Sequence, residues 1–397
     1  MFTGINDISI LAEIIATFTN TTLAIHEASP VATPIENTLI DEVLNRTGFN
    51  SSTKKGDGIM TPGGSYSNMM ALLAARNYLF PKAKKEGVNT ELVVFTSEHA
   101  HYSVNKAANI IGIGEDNVIL VKNDSQAKML SHDLEEKINY QLELGKKPLC
   151  ILLNSGTTEF GSFDPIEPIV EIAEKYKTWL HVDGAWGGAV LFSKQNRYKL
   201  KGIEKVNSFN WDAHKILGIP LYASVFLINK PKGVLQKLFG SGNGEYLLHG
   251  IDHDLGEKSL QCARRNDALK VWMLFKYYGL DYIEDSIDNL VSMSKSIAEI
   301  IKSSSEFDLI MEPEFLNICF SISKKSSKLN LKDLHTKVRN NLINEGKYFF
   351  NYTAQNENET FFRYIVNMES SVDDFNKMLN RISIESKRII SAAETLI

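Results

Sequence analysis

Apolar and polar positions recur along this chain with two periods, and the period marks the elements. Residues 5–47 carry apolar side chains at three- and four-residue spacing, which predicts helix. A loop rich in Gly, Ser, Thr and Lys follows over 51–64. Asn68 to Phe80 (NMMALLAARNYLF) is made of good helix formers and stops at Pro81, which cannot continue a helix. Short apolar runs then recur: ELVVFT (91–96), NVILVK (117–122), PLCILLN (148–154), TWLHVD (178–183) and ASVFLIN (223–229). Segments of helical character, such as 102–111, 133–144 and 166–176, lie between most of them. Such alternation predicts a largely parallel sheet with helices on both faces.

The rhythm changes after Arg265. Residues 266–278 read as a helix ending near Gly279, and 282–302 as another. Shorter strands (317–322, 360–366) mixed with helices (331–345, 372–390) predict a smaller α+β domain. The expected organisation is an N-terminal helical segment (1–47), a large α/β domain (48–285) and a small C-terminal α+β domain (286–397).

Composition narrows the class. The chain has 397 residues, of which 43% are hydrophobic and 23% charged, which excludes wholesale disorder, collagen and a coiled-coil rod. Lys and Arg number 43 against 48 Asp and Glu, a net charge of −5. Nucleic-acid binding through a basic face is therefore not expected. Cys150, Cys262 and Cys319 are odd in number and far apart, which suggests neither a disulfide framework nor a zinc ribbon and fits a reducing, cytoplasmic setting. Glu13 interrupts the apolar stretch Ile8–Phe18, which also lacks a basic leader, so no signal peptide is expected. No apolar run reaches the ~20 residues that span a bilayer, so no membrane association is expected.

The most informative segments are HVDGAWGG (181–188) and SFNWDAHK (208–215). Asp183 closes a predicted strand, and ligands of open parallel sheets bind at the carboxyl ends of strands. Gly184, Ala185, Gly187 and Gly188 are small enough to let something flat approach. A carboxylate and a lysine (Lys215) so placed suit pyridoxal phosphate, the amine linking to the cofactor aldehyde and the carboxylate pairing with the pyridinium nitrogen. Gly63-Gly64-Ser65-Tyr66-Ser67, just before a helix, offers backbone N–H groups and hydroxyls to a phosphate. No G-x-S-x-G elbow is present, and Gly112-x-Gly114 lacks the third glycine of a dinucleotide fingerprint.

These segments carry a family resemblance. GDGIMTPGGSYSNM (56–69), FTSEHAHYS (95–103), NSGTTEFGSFDPI (154–166), WLHVDGAWGG (179–188), NSFNWDAHK (207–215), LQCARRND (260–267) and FFRYIVN (361–367) resemble, in order, the group II pyridoxal-phosphate-dependent amino-acid decarboxylases. The branch holding glutamate and cysteine sulfinate decarboxylases is the most similar. The resemblance implies fold type I, the aminotransferase-like architecture with a mainly parallel seven-stranded sheet and a small C-terminal domain. It implies pyridoxal 5′-phosphate as cofactor and a homodimer with shared active sites, the 242–258 loop reaching toward the partner. Lys215 would carry the cofactor, Asp183 would pair with its ring nitrogen, Ala185 would lie against the ring and His101 would stack on the other face. Gly64, Ser65, Tyr66, Ser208 and His214 would hold the phosphate, and Thr157 would lie near the ring oxygen or Asp183. Arg363 would bind a substrate carboxylate, as a planar guanidinium can do bidentately. The reaction implied is decarboxylation of a small or acidic L-amino acid, such as aspartate, glutamate or cysteine sulfinate.

Departures from the family pattern qualify the pocket. In relatives a stretch precedes the point matching Met1 and contributes to the substrate pocket, so the chain is expected to be either a short variant or one whose pocket is built differently. The loop stretch GNGEYLLHGIDHDLGEK (242–258) has no tyrosine in the expected part; Tyr246 lies earlier, which makes His253 the nearest candidate for a general acid. Thr22 and Ala24 hold substrate-pocket positions where glutamate decarboxylases have a larger polar residue and an aromatic. The lysine is preceded by WDAH rather than the commoner WNPH, so Asp212 brings a negative charge near a phosphate. Loss of the tyrosine keeps oxidative deamination and transamination as alternatives, with a cofactor-binding pseudoenzyme as a third.

Overall fold

The computed structural model describes residues 1, 4–51, 53, 55–241, 254–323, 330–354 and 360–394. They form two compact units, one of residues 2–157 and 163–287, the other of Met1, 158–162 and 288–397. The strands are β1 (Asp57–Thr61), β2 (Leu92–Ser97), β3 (Val118–Val121), β4 (Lys147–Asn154), β5 (Trp179–Asp183), β6 (Ser208–Asp212), β7 (Ser224–Ile228), β8 (Phe307–Leu309), β9 (Asn317–Ile322), β10 (Asn351–Ala354) and β11 (Thr360–Ile365). The helices are α1 (Asp7–Thr19), α2 (Ala32–Thr47), α3 (Gly64–Leu79), α4 (Ala83–Glu86), α5 (Ser103–Ile110), α6 (Ser131–Glu143), α7 (Ile166–Lys175), α8 (Val234–Phe239), α9 (Ala268–Lys302), α10 (Leu331–Asn344) and α11 (Val372–Glu394).

In the larger unit a seven-stranded sheet runs β1-β7-β6-β5-β4-β2-β3. Strands β2 to β6 are parallel; β7 is antiparallel to β6, and β1 to β7. Every residue of β2, β5, β6 and β7 is buried, and β2, β5 and β7 accordingly read as mostly apolar runs. Helix α3 covers one face: Ala71, Leu72, Ala74 and Ala75 pack with Val94, Leu152 and Phe226. Small residues at that interface bring the helix close to the sheet and aim its N-terminus at the strand ends.

The five apolar runs fall on β2, β3, β4, β5 and the antiparallel β7, while the parallel β6 lies in the SFNWDAHK segment. Strand β1 lies in the stretch expected to be a loop, because Gly56, Asp57 and Gly58 break its pattern. A Cβ on Gly58 would stand 2.5 Å from Leu227 Cδ2 and 2.8 Å from Ile40 Cγ2, so glycine is needed for β7 and α2 to pack there. The Asp57 side chain is buried against Lys258, whose Nζ lies 2.8 Å away. Helix α3 begins four residues earlier than the composition predicts, at Gly64, because Gly63 (φ 113°) turns the chain into it.

The smaller unit carries an antiparallel sheet of order β10-β11-β9-β8. Its core is aromatic, with Phe307, Phe362 and Phe375 around Phe320. The three- and four-residue strands β8 and β10 are too short to show a period. His335 of α10 is fully buried; its Nε2 accepts the Ile322 N–H (3.1 Å) and its Nδ1 lies 3.0 Å from Thr360 Oγ1. Burial pushes its pKa down to about 4, with the Thr360 bond opposing. His335 is thus neutral in the fold and protonates first in the unfolded chain. Its contribution is complete above about pH 6.5 and is lost as pH falls toward 4. Lowering the pH from 7 to 5 should cost about 2 kcal/mol through this group. The melting temperature of His335→Gln should fall less over that interval than that of the wild type, and an equal fall would refute the account.

Candidate active site

Three carboxyl ends of neighbouring parallel strands, β4, β5 and β6, meet at Asn154, Asp183 and Asp212. Asn154 pairs in register with Asp183, and Asp183 with Asn210. The Asp183 carboxylate accepts three N–H groups: Asn68 Nδ2 (2.7 Å) on Oδ2, and Ala185 N (2.9 Å) and Asn210 Nδ2 (3.2 Å) on Oδ1. A buried carboxylate requires such donors, and they fix its orientation. Asn68 Nδ2 also reaches Ser103 Oγ (3.0 Å), at the start of α5.

Asp212 is the second anion. Its Oδ2 accepts the backbone N–H of Gly64 (3.2 Å), the first residue of α3. Lys215 Nζ stands 3.1 Å from the same oxygen. His214 Nδ1 lies 3.2 Å from the Ala223 N–H and 3.1 Å from the Ala223 carbonyl oxygen, and its Nε2 stands 3.8 Å from Asp212 Oδ2. His101 is half-buried, and its Nδ1 accepts the Ser103 N–H (3.2 Å). Burial pushes its pKa down; Asp183 and Asp212 oppose that shift, while Lys215 and Lys106 reinforce it. The imidazole is therefore a neutral ring within the field of the two aspartates and the lysine.

The expected residues sort as follows. Lys215, Asp183, Ala185, Gly64, His214 and His101 converge on this cluster. A Cβ on Gly64 would lie 2.9 Å from both Ala185 Cβ and Asp212 Oδ2, so the helix end approaches the strand ends closely. Ser65 is exposed in the first turn of α3, and Thr157 is buried just beyond β4. The Tyr66 hydroxyl is turned toward Ser259, Leu260 and Gln261, and burial pushes its pKa up. Its buried phenol oxygen has no hydrogen-bond partner among the described residues.

Ser208 requires correction. It opens β6, at the opposite end of the strand from Asp212, and is fully buried. Its hydroxyl lies 2.8 Å from both Trp179 Nε1 and His181 Nδ1. Four residues of extended strand place it about 13 Å along the sheet from the helix end. The glycines after Asp183 do not leave a gap for a flat ligand either. The space beside Gly184 is taken by Phe209, that beside Gly187 by Phe163 and that beside Gly188 by Phe209 and Trp211.

Thr22 and Ala24 belong to another network, in which Ser29 Oγ donates to Thr22 O, and Leu255 and Gly256 N–H groups donate to Ala24 O. The hydrogen bonds around Asp183 and Asp212 do not reach them among the described residues. Arg363, in β11 of the smaller unit, donates from Nη1 to Thr158 O (2.7 Å), while its buried Nε has no hydrogen-bond partner. Burial pushes its pKa down, with Cys319 and Glu159 opposing. His253 and Tyr246 lie outside the described residues. Asn68 and Asn210 were missed in the sequence; the signal was an amide opening an otherwise apolar helical run, and another one strand away from Asp183.

The cluster fits pyridoxal phosphate in its donor chemistry. It offers a lysine amine, a fixed carboxylate, a neutral imidazole and the N-terminus of a long helix, with a glycine that lets the strand ends come close. Among the described residues no group of three or more His, Cys, Asp or Glu could hold a metal ion.

Comparison with known proteins agrees. The pyridoxal-dependent decarboxylase conserved domain matches residues 1–323. Human cysteine sulfinic acid decarboxylase is 34% identical over 399 residues, 96% of this chain and 80% of the relative. The acidic amino acid decarboxylase GADL1 of Bos taurus is 32% identical over 406 residues, 98% of this chain and 77% of the relative. The crystal structure of mouse CSAD superposes with a TM-score of 0.92 at 32% identity, covering 97% of this chain and 82% of that one. With Lys215, Asp183 and His101 gathered at the strand ends of a fold type I sheet, the chain belongs to the pyridoxal-dependent decarboxylase family and is a pyridoxal-phosphate-dependent amino-acid decarboxylase.

Proposed function

We propose that this enzyme removes the α-carboxylate of a small or acidic L-amino acid, with Lys215 as the cofactor-bearing lysine. The observation that carries this reading is the convergence of Lys215, Asp183, His101 and the α3 N-terminus at one sheet edge. The acidic class is supported by the relatives, named as acidic amino acid and cysteine sulfinic acid decarboxylases. Pyridoxal phosphate supplies an electron-withdrawing ring that takes up the electron pair left by the departing carboxylate.

The protein's part is to orient, to place charge and to exclude water. Asp183, held by its three donors, keeps a proton at the ring nitrogen. His101, neutral, would pack on one face of the cofactor ring, and Ala185 on the other. The first turn of α3, with Gly64, the Ser65 hydroxyl and the Tyr66 phenol, would hold the phosphate, assisted by His214, and Thr157 would lie near the ring oxygen. Arg363 anchors a substrate carboxylate, for which its buried, unpartnered Nε is a ready donor. Thr22 and Ala24 shape the pocket for a short side chain.

We further read the enzyme as a homodimer with shared active sites. Leu11, Ile14, Ile15 and Phe18 lie on one face of α1 and are exposed in the single chain, Phe18 by 90%. A helix face this apolar fits a second copy of the chain. The enzyme is placed in the cytoplasm, a reading supported by three free cysteines, two of them buried. Among the described residues no helix is long and apolar enough to cross a membrane.

Carbon dioxide release by the cofactor-loaded protein, measured over the twenty amino acids and cysteine sulfinate, should single out an acidic or small substrate with its amine as co-product. An aldehyde or keto acid as the main product would sink this reading. Lys215→Ala should lose both the visible band of the lysine-linked cofactor and turnover; retention of either refutes the lysine assignment. Arg363→Gln should raise KM roughly tenfold to a hundredfold, the worth of a lost charge-assisted hydrogen bond, with a smaller change in kcat. An unmoved KM would remove Arg363 from the substrate site. Sedimentation should give a dimer that Phe18→Asp weakens, and a wild-type monomer at micromolar concentration would exclude the shared-site arrangement.

A further inference from the structure

Asp212 places a buried carboxylate at the helix end where a phosphate would be held. Its side chain is 2% exposed. Oδ2 accepts the Gly64 N–H at the start of α3 and faces the Lys215 ammonium, while the buried Oδ1 has no hydrogen-bond partner. The N-terminus of a 16-residue helix attracts an anion through its free N–H groups and its dipole. In the protein alone, that anion is Asp212. The carboxylate is packed so closely that a Cβ on Gly64 would come within 2.9 Å of Oδ2.

A phosphate brought to the same helix end competes for the same donors. It also meets a like charge in a buried setting, where screening is weak. The cation that balances Asp212 is Lys215, whose three ammonium donors would be reduced to a single imine N–H once its amine is linked to the cofactor aldehyde. His214 does not replace it: burial pushes the His214 pKa down, and its Nε2 stands 3.8 Å away.

We propose that Asp212 is a resident anion at the phosphate end of the site and sets the cofactor affinity low enough for the enzyme to exchange between empty and loaded forms. In the empty form it occupies the helix N-terminus and holds Lys215 as an ion pair. In the loaded form it would share the Gly64 N–H with the phosphate and face an imine in place of the Lys215 ammonium. This rests on the reading of Lys215 and the α3 N-terminus as the cofactor's anchors. It makes Asp212 a positioning residue that governs occupancy, with no chemical step of its own.

The test uses the near-isosteric Asp212→Asn, with Asp212→Ala as a second variant in case the first folds poorly. Cofactor-free proteins are titrated with pyridoxal phosphate at fixed pH and salt, followed by the visible band of the lysine-linked cofactor. Removing the charge should tighten Kd about tenfold or more and slow cofactor loss on dilution. Inorganic phosphate alone, which cannot react with Lys215, should raise the melting temperature of the cofactor-free variants more than that of the wild type. Folded variants that bind the cofactor as the wild type does, or more weakly, overturn the proposal. A wild type that never develops the band, or a Lys215→Ala protein that keeps it, overturns the functional reading instead, and this proposal with it.

Discussion

A carboxylate buried at the end of a parallel strand needs donors, and this site is organised around providing them to Asp183. Three N–H groups from β6, α3 and the turn after β5 meet its two oxygens. Each donor is itself fixed. Asn68 is held from behind by His181 Nε2, 3.1 Å from its Oδ1, and His181 Nδ1 lies 2.8 Å from Ser208 Oγ, which also accepts the Trp179 N–H. Burial pushes the His181 pKa down to about 4, so the chain of bonds runs through a neutral imidazole. A polar network of this kind stabilises the sheet edge only while every member is satisfied. Ser208 thus contributes to the site from a distance, by seating the histidine that seats Asn68.

The position of α3 follows from the same constraint. Its small residues let it lie close to the sheet, and Asn68 in its second turn ties it to Asp183. That fixes where the N-terminus of the helix points. Gly63 and Gly64 then bring the free N–H groups up to the ends of β5 and β6. Lys270 steadies the far side of this arrangement: its fully buried ammonium binds the carbonyls of Pro220 (3.1 Å) and Tyr222 (2.7 Å), ahead of Ala223, which orients His214. Removing one partner of such a buried charge costs more than the pair itself contributes, which makes these positions unforgiving.

Much of the site was legible because its chemistry needs particular residues at strand ends. Asp183 stands out in the sequence by closing a buried apolar run, and Lys215 by its place just after the next strand in SFNWDAHK. His101 required the family resemblance, since a histidine after a strand has no spacing of its own. Ser208 and the glycines at 184, 187 and 188 were misread for one reason: composition shows a hydroxyl or a missing side chain without showing what lies opposite. Trp179 and His181 lie opposite Ser208, and Phe209, Phe163 and Trp211 fill the space beside the glycines. Strand β1 was hidden because its backbone pairing with β7 does not depend on an apolar pattern, and Gly58 is there to make room for Leu227.

What the sequence by itself determined was the order of strands and helices, the break near Gly279 and the residue types able to hold pyridoxal phosphate. These depend on local periodicity, on the backbone freedom of glycine and on side-chain chemistry, all of which are carried by neighbours along the chain. Tertiary structure alone decided that Asn68 and Asn210 meet on Asp183, and that Asp212 sits on the first N–H of α3. Those contacts join residues as far as 148 positions apart, and they arise from helix-on-sheet packing and strand register, which no local pattern encodes.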